Sequence, residues 1–307
     1  MSLIEEKLDY IIQVLELIKK QLKIVPDKDG TVTNLDSSIS TYEEYAREEL
    51  GIGQGTINNQ KSAILGFLNY SRGVINKESV KSYLDSNDSE SWKSNQLKAL
   101  RRYVRDFLKL GNWINEFQFS TTKAKIKIIP SDEQLAKFVT ILPKQVQAVA
   151  LIMFSSGLRI SEVISLRFID IANELHMINA TNIHKGKTKH SWISFMSQDA
   201  IDILYEYLDE IEFDFMENSK LFSVSARTVQ EEFKKASESI EASINPHLLR
   251  TVFTEKCSQV GIENKYIDAF CGRISQGVLA KHYTDYSPNA LRKQYDKVES
   301  FLSILPT

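Results

Sequence analysis

Cysteine and histidine are scarce in this chain and long apolar runs are missing, and each scarcity removes a class of protein. The two cysteines, Cys257 and Cys271, form no Cys-x-x-Cys pair. A disulfide-stapled fold is therefore excluded, and the usage fits a reducing compartment. The five histidines are scattered, with only His184 and His190 near one another in sequence. Neither a structural metal nor another cofactor is expected from such spacing. No apolar stretch reaches the ~18 residues that suggest a membrane span. The N-terminus mixes charged and apolar residues without an apolar core and cleavage site, so no secretory signal is expected. Internal repeats and low-complexity tracts are also absent.

What remains is an ordinary composition for a chain that buries a core. Its 307 residues are 42% hydrophobic and 25% charged, enough for two domains. The net charge of −2 argues mildly against nucleic acid, but the average hides an uneven distribution. Between Ser91 and Pro130 nine Lys/Arg face two Asp/Glu, whereas Thr31 to Glu90 carries nine acids against five bases. Phosphate binding needs a local basic surface rather than a basic total.

Periodicity divides the chain. Ile4, Leu8, Ile11, Leu15, Ile18 and Leu22 form a heptad seam, predicting a coiled-coil helix over residues 1–25. Leu at position a with Ile at d favours trimers or tetramers. Ile12, Val14 and Leu17 widen the stripe, so packing on its own domain is the alternative. Pro26 and the following Asp-Lys-Asp-Gly open a linker over 26–39. Residues 40–120 read as a small helical domain. Helices start near Thr41, at Thr56, at Asn76 with Ser79, and at Ser91, the last running to Leu110. The last helix buries Leu97, Leu100, Val104, Phe107 and Leu108. It carries Lys98, Arg101, Arg102 and Arg105 on its other faces, flanked by Lys93, Lys109, Lys123, Lys125 and Lys127. Such a face is either solvated or turned toward DNA. Residues 121–130 read as an extended linker, and Ser131-Asp132-Glu133 caps the first helix of a second domain, 131–307. That domain is helical except for short β-prone runs at 175–183 and 191–195, joined by a Lys-Gly-Lys-Thr turn. A terminal helix over 288–305 repeats Leu291, Tyr295, Val298, Leu302 and Leu305. It either packs on its own domain or docks on a neighbouring subunit.

Four pieces of the second domain can carry chemistry. Gly157 ends one helix and Arg159 starts the next, setting a guanidinium beside free N–H groups, with Glu162 three residues on. Lys185 and Lys187 belong to a hairpin that can reach over a substrate. Pro246 starts a helix whose first turn shows His247 and Arg250 on one face, a clasp for an anion. Gly272-Arg273 is followed ten residues later by Tyr283. Each piece alone has a plainer reading: a surface ion pair, exposed turn lysines, a capping histidine, a core tyrosine.

The ordered set Arg…Lys…His-x-x-Arg…Gly-x…Tyr resembles the catalytic signature of the tyrosine recombinases. GLRISEVISLRFIDI is similar to that family's first arginine box, KGKTKH to its β-hairpin motif and HLLR to its His-x-x-Arg. The resemblance implies a helical core-binding domain followed by a catalytic domain, mainly α with a small antiparallel β-sheet. It implies catalytic roles for Arg159, Lys185, His247, Arg250, Arg273 and Tyr283, and a supporting role for Glu162. Arg273 stands where relatives carry His or Trp. That departure and VLAKHYTDYSP resemble integrases of archaeal spindle-shaped viruses. The expected activity is DNA cleavage and rejoining through a 3′-phosphotyrosine, without metal or ATP. The expected partners are double-stranded DNA and copies of the same chain, as a tetramer on DNA, in the cytoplasm of an archaeal host and without membrane attachment. A Xer-type resolvase and a non-cleaving DNA-binding protein are the competing readings.

Overall fold

Helices account for most of the described residues. The structure, a computed structural model, describes residues 35–119, 128–172, 176–182, 185–186, 189–190, 193–240, 242–273 and 283–305. The heptad segment 1–25 and Lys123, Lys125, Lys127 and Lys187 lie outside the described residues. The chain divides into two units, 1–126 and 127–307.

The first unit contains α1 (Leu35–Glu48), α2 (Gln54–Ser71), α3 (Lys77–Asp85) and α4 (Glu90–Arg101). α1 starts ahead of the Thr41 expected from the sequence. The Asn76 side chain accepts the Ser79 N–H at 2.7 Å while Ser79 Oγ accepts the Asn76 N–H at 3.1 Å, a reciprocal cap. Instead of running unbroken to Leu110, α4 widens into a π-helical turn, Arg102–Phe107, which buries Tyr103 and Val104 side by side. Tyr103 Oη lies 2.5 Å from Ser38 Oγ, and burial raises its pKa to about 12, so the phenol stays protonated. Tyr42, Ile57, Ile64, Phe67, Leu68, Val80 and Leu100 complete the core.

The second unit is built around α6 (Lys144–Ser156), in which every residue from Val146 to Ser156 is buried. A helix apolar all round must be enclosed by others. α5 (Asp132–Thr140), α8 (Gln198–Glu210) and α10 (Pro246–Gln259) pack on it, with α9 (Ala226–Ser239) and α11 (Asn264–Phe270) outside them. Ser131 caps α5 by accepting the Gln134 N–H at 3.2 Å. β1 (Ile171–Ala172), β2 (Met177–Asn179) and β5 (Ile193–Phe195) form an antiparallel sheet in the order β1-β2-β5, with Ile178 opposite both Ile171 and Ser194. Ser194 Oγ donates to the Ser156 carbonyl at 2.6 Å, tying this sheet to the end of α6. β3 (Lys185–Gly186) and β4 (Lys189–His190) make a separate hairpin, Lys185 opposite His190.

The C-terminal segment departs from the expected single helix. α12 (Pro288–Tyr295) stops after two turns, and a 3-10 turn, Glu299–Phe301, follows. Leu291, Tyr295, Val298 and Leu302 all reach the core of their own unit. Tyr295 Oη donates to the Ser155 carbonyl at 3.0 Å, and buried Asp199 accepts the N–H groups of Ile304 and Leu305 at 2.9 and 3.2 Å.

Candidate active site

The site begins at a corner only glycine fits. Gly157 closes α6 at φ +70°, and a Cβ there would lie 2.5 Å from the Phe253 ring. The chain emerges extended at Arg159, which caps the short helix α7 (Ile160–Val163). Glu162, fully buried, accepts the Arg159 backbone N–H and its Nη1, each at 2.7 Å. One carboxylate therefore fixes both the main chain and the guanidinium of Arg159.

α10 supplies the second wall. Asn245 accepts the Leu248 N–H at 3.0 Å and Pro246 occupies the first turn, so the expected helix start forms. Arg250 lies one turn in and is 5% exposed. Its Nη2 donates to the Cys271 carbonyl at 2.9 Å, and Arg159 Nη1 approaches the same oxygen at 3.4 Å. Arg250 Nη1 stands 3.8 Å from Glu162 and has no hydrogen-bond partner among the described residues. Burial, aided by Arg159 and Arg273, pulls this guanidinium below its usual pKa, although a guanidinium stays charged in proteins. A buried cation with an open N–H is arranged to receive an anion.

These side chains open onto one cavity of about 700 Å³, lined among others by Arg159, Gln230, Lys234, His247, Arg250 and Arg273. Among the described residues no carboxylate lines it, although Glu162 lies behind the wall. Arg273 is more exposed than the other two arginines and points partly to Asp268, 3.5 Å away. Four of the expected residues thus share a single anion-attracting space. Tyr283 does not line that space and is 78% exposed. The strand position of Lys185 is described, but its side chain is not. No residue pattern marks the Cys271 carbonyl as a shared acceptor, because a main-chain oxygen has no residue type. Lys234 and Gln230, one turn apart on α9, were also missed; they sit on an ordinary amphipathic helix.

The basic face of the first unit is divided. Arg101 donates to the carbonyls of Asn115 and Phe117 and lies 4.2 Å above the Phe119 ring, so it clamps the chain after α4. Arg105 pairs with Asp106 at 2.6 Å and with Asn115 at 3.0 Å. Lys93 lies 3.7 Å from Glu90, Arg102 is half-buried, and Lys98 is exposed. Among the described residues no cluster of three metal-ligating side chains occurs, and no helix is long and apolar enough to cross a membrane.

The family match, on a chain of this fold, makes the protein a tyrosine recombinase, an enzyme that cuts and rejoins DNA strands. The chain belongs to the phage integrase family, whose model matches residues 131–289, just over half of it. It is 22% identical to a tyrosine recombinase of Agathobacter rectalis over 302 residues, covering 86% of this chain and 96% of that protein. It is 25% identical to tyrosine recombinase XerA of Saccharolobus solfataricus over 275 residues, covering 81% and 89%. Among solved structures, a lambda integrase dimer bound to a COC′ core site shares the fold with a TM-score of 0.64 at 16% identity, covering 84% of this chain and 79% of that one.

Proposed function

We propose that the cavity holds the scissile phosphate of DNA and that Tyr283 is the nucleophile. The observation that carries this reading is the convergence of Arg159, His247, Arg250 and Arg273 on one space that no carboxylate lines among the described residues. Tyr283 Oη attacks phosphorus, the P–O5′ bond breaks, and a 3′-phosphotyrosine and a free 5′-hydroxyl result. The covalent link conserves the energy of the broken bond, so a second 5′-hydroxyl reverses the reaction without ATP. Charge grows on the non-bridging oxygens in the transition state, where Arg159, Arg250 and Arg273 donate to it. Lys185 gives a proton to the departing 5′-oxygen. His247 binds the phosphate or takes the proton from Tyr283 as it attacks. Tyr283 acts from an exposed loop, so DNA binding must bring it to the cavity.

The exposed Lys98, with Lys93, Arg102, Lys123, Lys125, Lys127 and Lys187, contacts the DNA backbone in this reading. Arg101 and Arg105 contribute by shaping the loop beside them. The chain works as a tetramer joined in part by residues 1–25, and recombines the genome of a mobile element or virus in an archaeal cell. The lambda integrase tetramer bound to a Holliday junction, which shares the fold at a TM-score of 0.63, supports the assembly. A Xer-type resolvase is the second reading, favoured by the Saccharolobus relative. The heptad segment ahead of the helical domain favours the mobile element.

The test is a nicked duplex carrying a candidate attachment site, incubated with the protein and EDTA and run on a denaturing gel. A protease-sensitive adduct mapping to Tyr283 is expected. Binding without any adduct would leave a DNA-binding protein that does not cleave. Joining of two different sites, against resolution of repeats on one molecule, separates the integrase from the resolvase.

A further inference from the structure

The turn that delivers Arg159 takes the usual donors away from two carbonyls of α6. In a helix that ran on, the Ser155 oxygen would receive the Arg159 N–H. Gly157 turns the chain instead, and that N–H goes to Glu162 at 2.7 Å. Ser155 and Ser156 are both fully buried, where a carbonyl needs a donor. Two hydroxyls supply it. Ser194 donates to the Ser156 oxygen at 2.6 Å, and Tyr295 donates to the Ser155 oxygen at 3.0 Å. Tyr295 is itself fully buried, which holds its phenol protonated well above the usual range and keeps it a donor.

Tyr295 is the last residue of α12 and stands twelve residues after Tyr283. Its ring lies 5.2 Å from that of Phe195 and 6.0 Å from that of Phe270. Phe270 adjoins Cys271, whose carbonyl receives both Arg159 and Arg250. The start of α12 is held as well. Ser287 accepts the Ala290 N–H at 3.3 Å, and Tyr286 meets the ring of Tyr266, on α11, edge to face at 6.1 Å. Both ends of α12 are therefore fixed to the unit that carries the arginines. From Tyr286 back to Tyr283 the chain spans at most about 11 Å. Arg159 and Arg250 have holds of their own, on Glu162 and the Cys271 carbonyl, so the Tyr295 hydroxyl is not what aims them.

We infer that Tyr295 is a positioning residue for Tyr283: its hydroxyl fixes the helix behind the nucleophile to the helix end that delivers Arg159. The inference rests on the reading of Tyr283 as the nucleophile. A reacting group misplaced by about 1 Å loses on the order of 10²-fold in rate, so one remote hydroxyl is enough to be read in the covalent step. Affinity for DNA comes from backbone contacts made by other side chains, and is spared.

The test is Tyr295→Phe in the full chain, which keeps the ring and removes the hydroxyl, followed by single-turnover cleavage of a suicide substrate. At saturating DNA the rate of adduct formation should fall by about tenfold or more, while the half-saturating DNA concentration moves by less than about twofold. The rise in Tm produced by sulfate, which reads the arginines without the nucleophile, should match the wild type. Tyr207→Phe is the control: it removes a buried hydroxyl bonded to Gln145 at the other end of α6, and its rate should stay within about twofold of the wild type. A smaller fall in Tyr295→Phe, a comparable fall in Tyr207→Phe, or a lost sulfate response would overturn the inference. Should circular dichroism show Tyr295→Phe unfolded, Tyr266→Leu loosens the other end of α12 and carries the same test. A slowed adduct with unchanged affinity is expected there, and a normal rate would overturn the inference. A wild-type chain that binds the substrate without an adduct at Tyr283 would remove the underlying reading, and the inference with it.

Discussion

Replacing Glu162 with Gln keeps the shape of the side chain and removes the only carboxylate that touches both Arg159 and Arg250 among the described residues. Gln offers one acceptor where Glu162 offers two, and its amide would turn a donor toward a donor. Glu162 is fully buried, and the Arg159 and Arg250 side chains are 26% and 6% exposed, so water compensates poorly. Breaking a buried pair by removing one partner costs about 3–5 kcal/mol, and the open cavity beside Arg159 favours the lower end. For a unit of this size about 3 kcal/mol lowers Tm by roughly 6–12 °C. Differential scanning calorimetry of the full chain reads that shift. Sulfate supplies the missing negative charge, so it should raise the Tm of the variant more than that of the wild type. A variant that melts with the wild type, and gains no more from sulfate, would refute the claim that Glu162 balances these guanidiniums.

Gly157→Ala should destabilise the catalytic unit by about 2–4 kcal/mol, from overpacking against Phe253 and the left-handed backbone, as read by urea denaturation. Arg250→Ala should slow cleavage of a suicide substrate on the order of 10²-fold or more; a near-normal rate would remove Arg250 from the chemistry. Tyr283→Phe should retain DNA affinity in filter binding and form no covalent adduct, and an adduct that survives would transfer the role to Tyr286. Deletion of residues 1–23 should weaken assembly on DNA by sedimentation; an unchanged assembly would leave the heptad segment a packing role only.

Local grammar was legible wherever side chains answer to their own neighbours in sequence. Asn76, Ser131 and Asn245 cap the helices their spacing announces, and His247 and Arg250 face one cavity because they stand one turn apart. Long-range demands were not legible. Arg101 looked like part of a DNA-facing stripe, but the carbonyls that hold it arrive from Asn115 and Phe117. The heptad-like spacing after Leu291 suggested one long helix. The chain instead breaks after Tyr295, and the amides of residues 304 and 305 dock on Asp199, about a hundred residues away in sequence. The Tyr283 motif identified a residue type and position, yet its separation from the cavity is a matter of tertiary placement.

The Cys271 carbonyl receives both Arg159 and Arg250, and it is an oxygen that no side-chain substitution deletes. Alanine scanning passes over it, since Cys271→Ala leaves the acceptor in place. The site therefore has a member accessible only to changes in the spacing of the chain. Inserting one residue between Cys271 and Arg273 would re-aim two guanidiniums together while leaving every side chain proposed as catalytic intact.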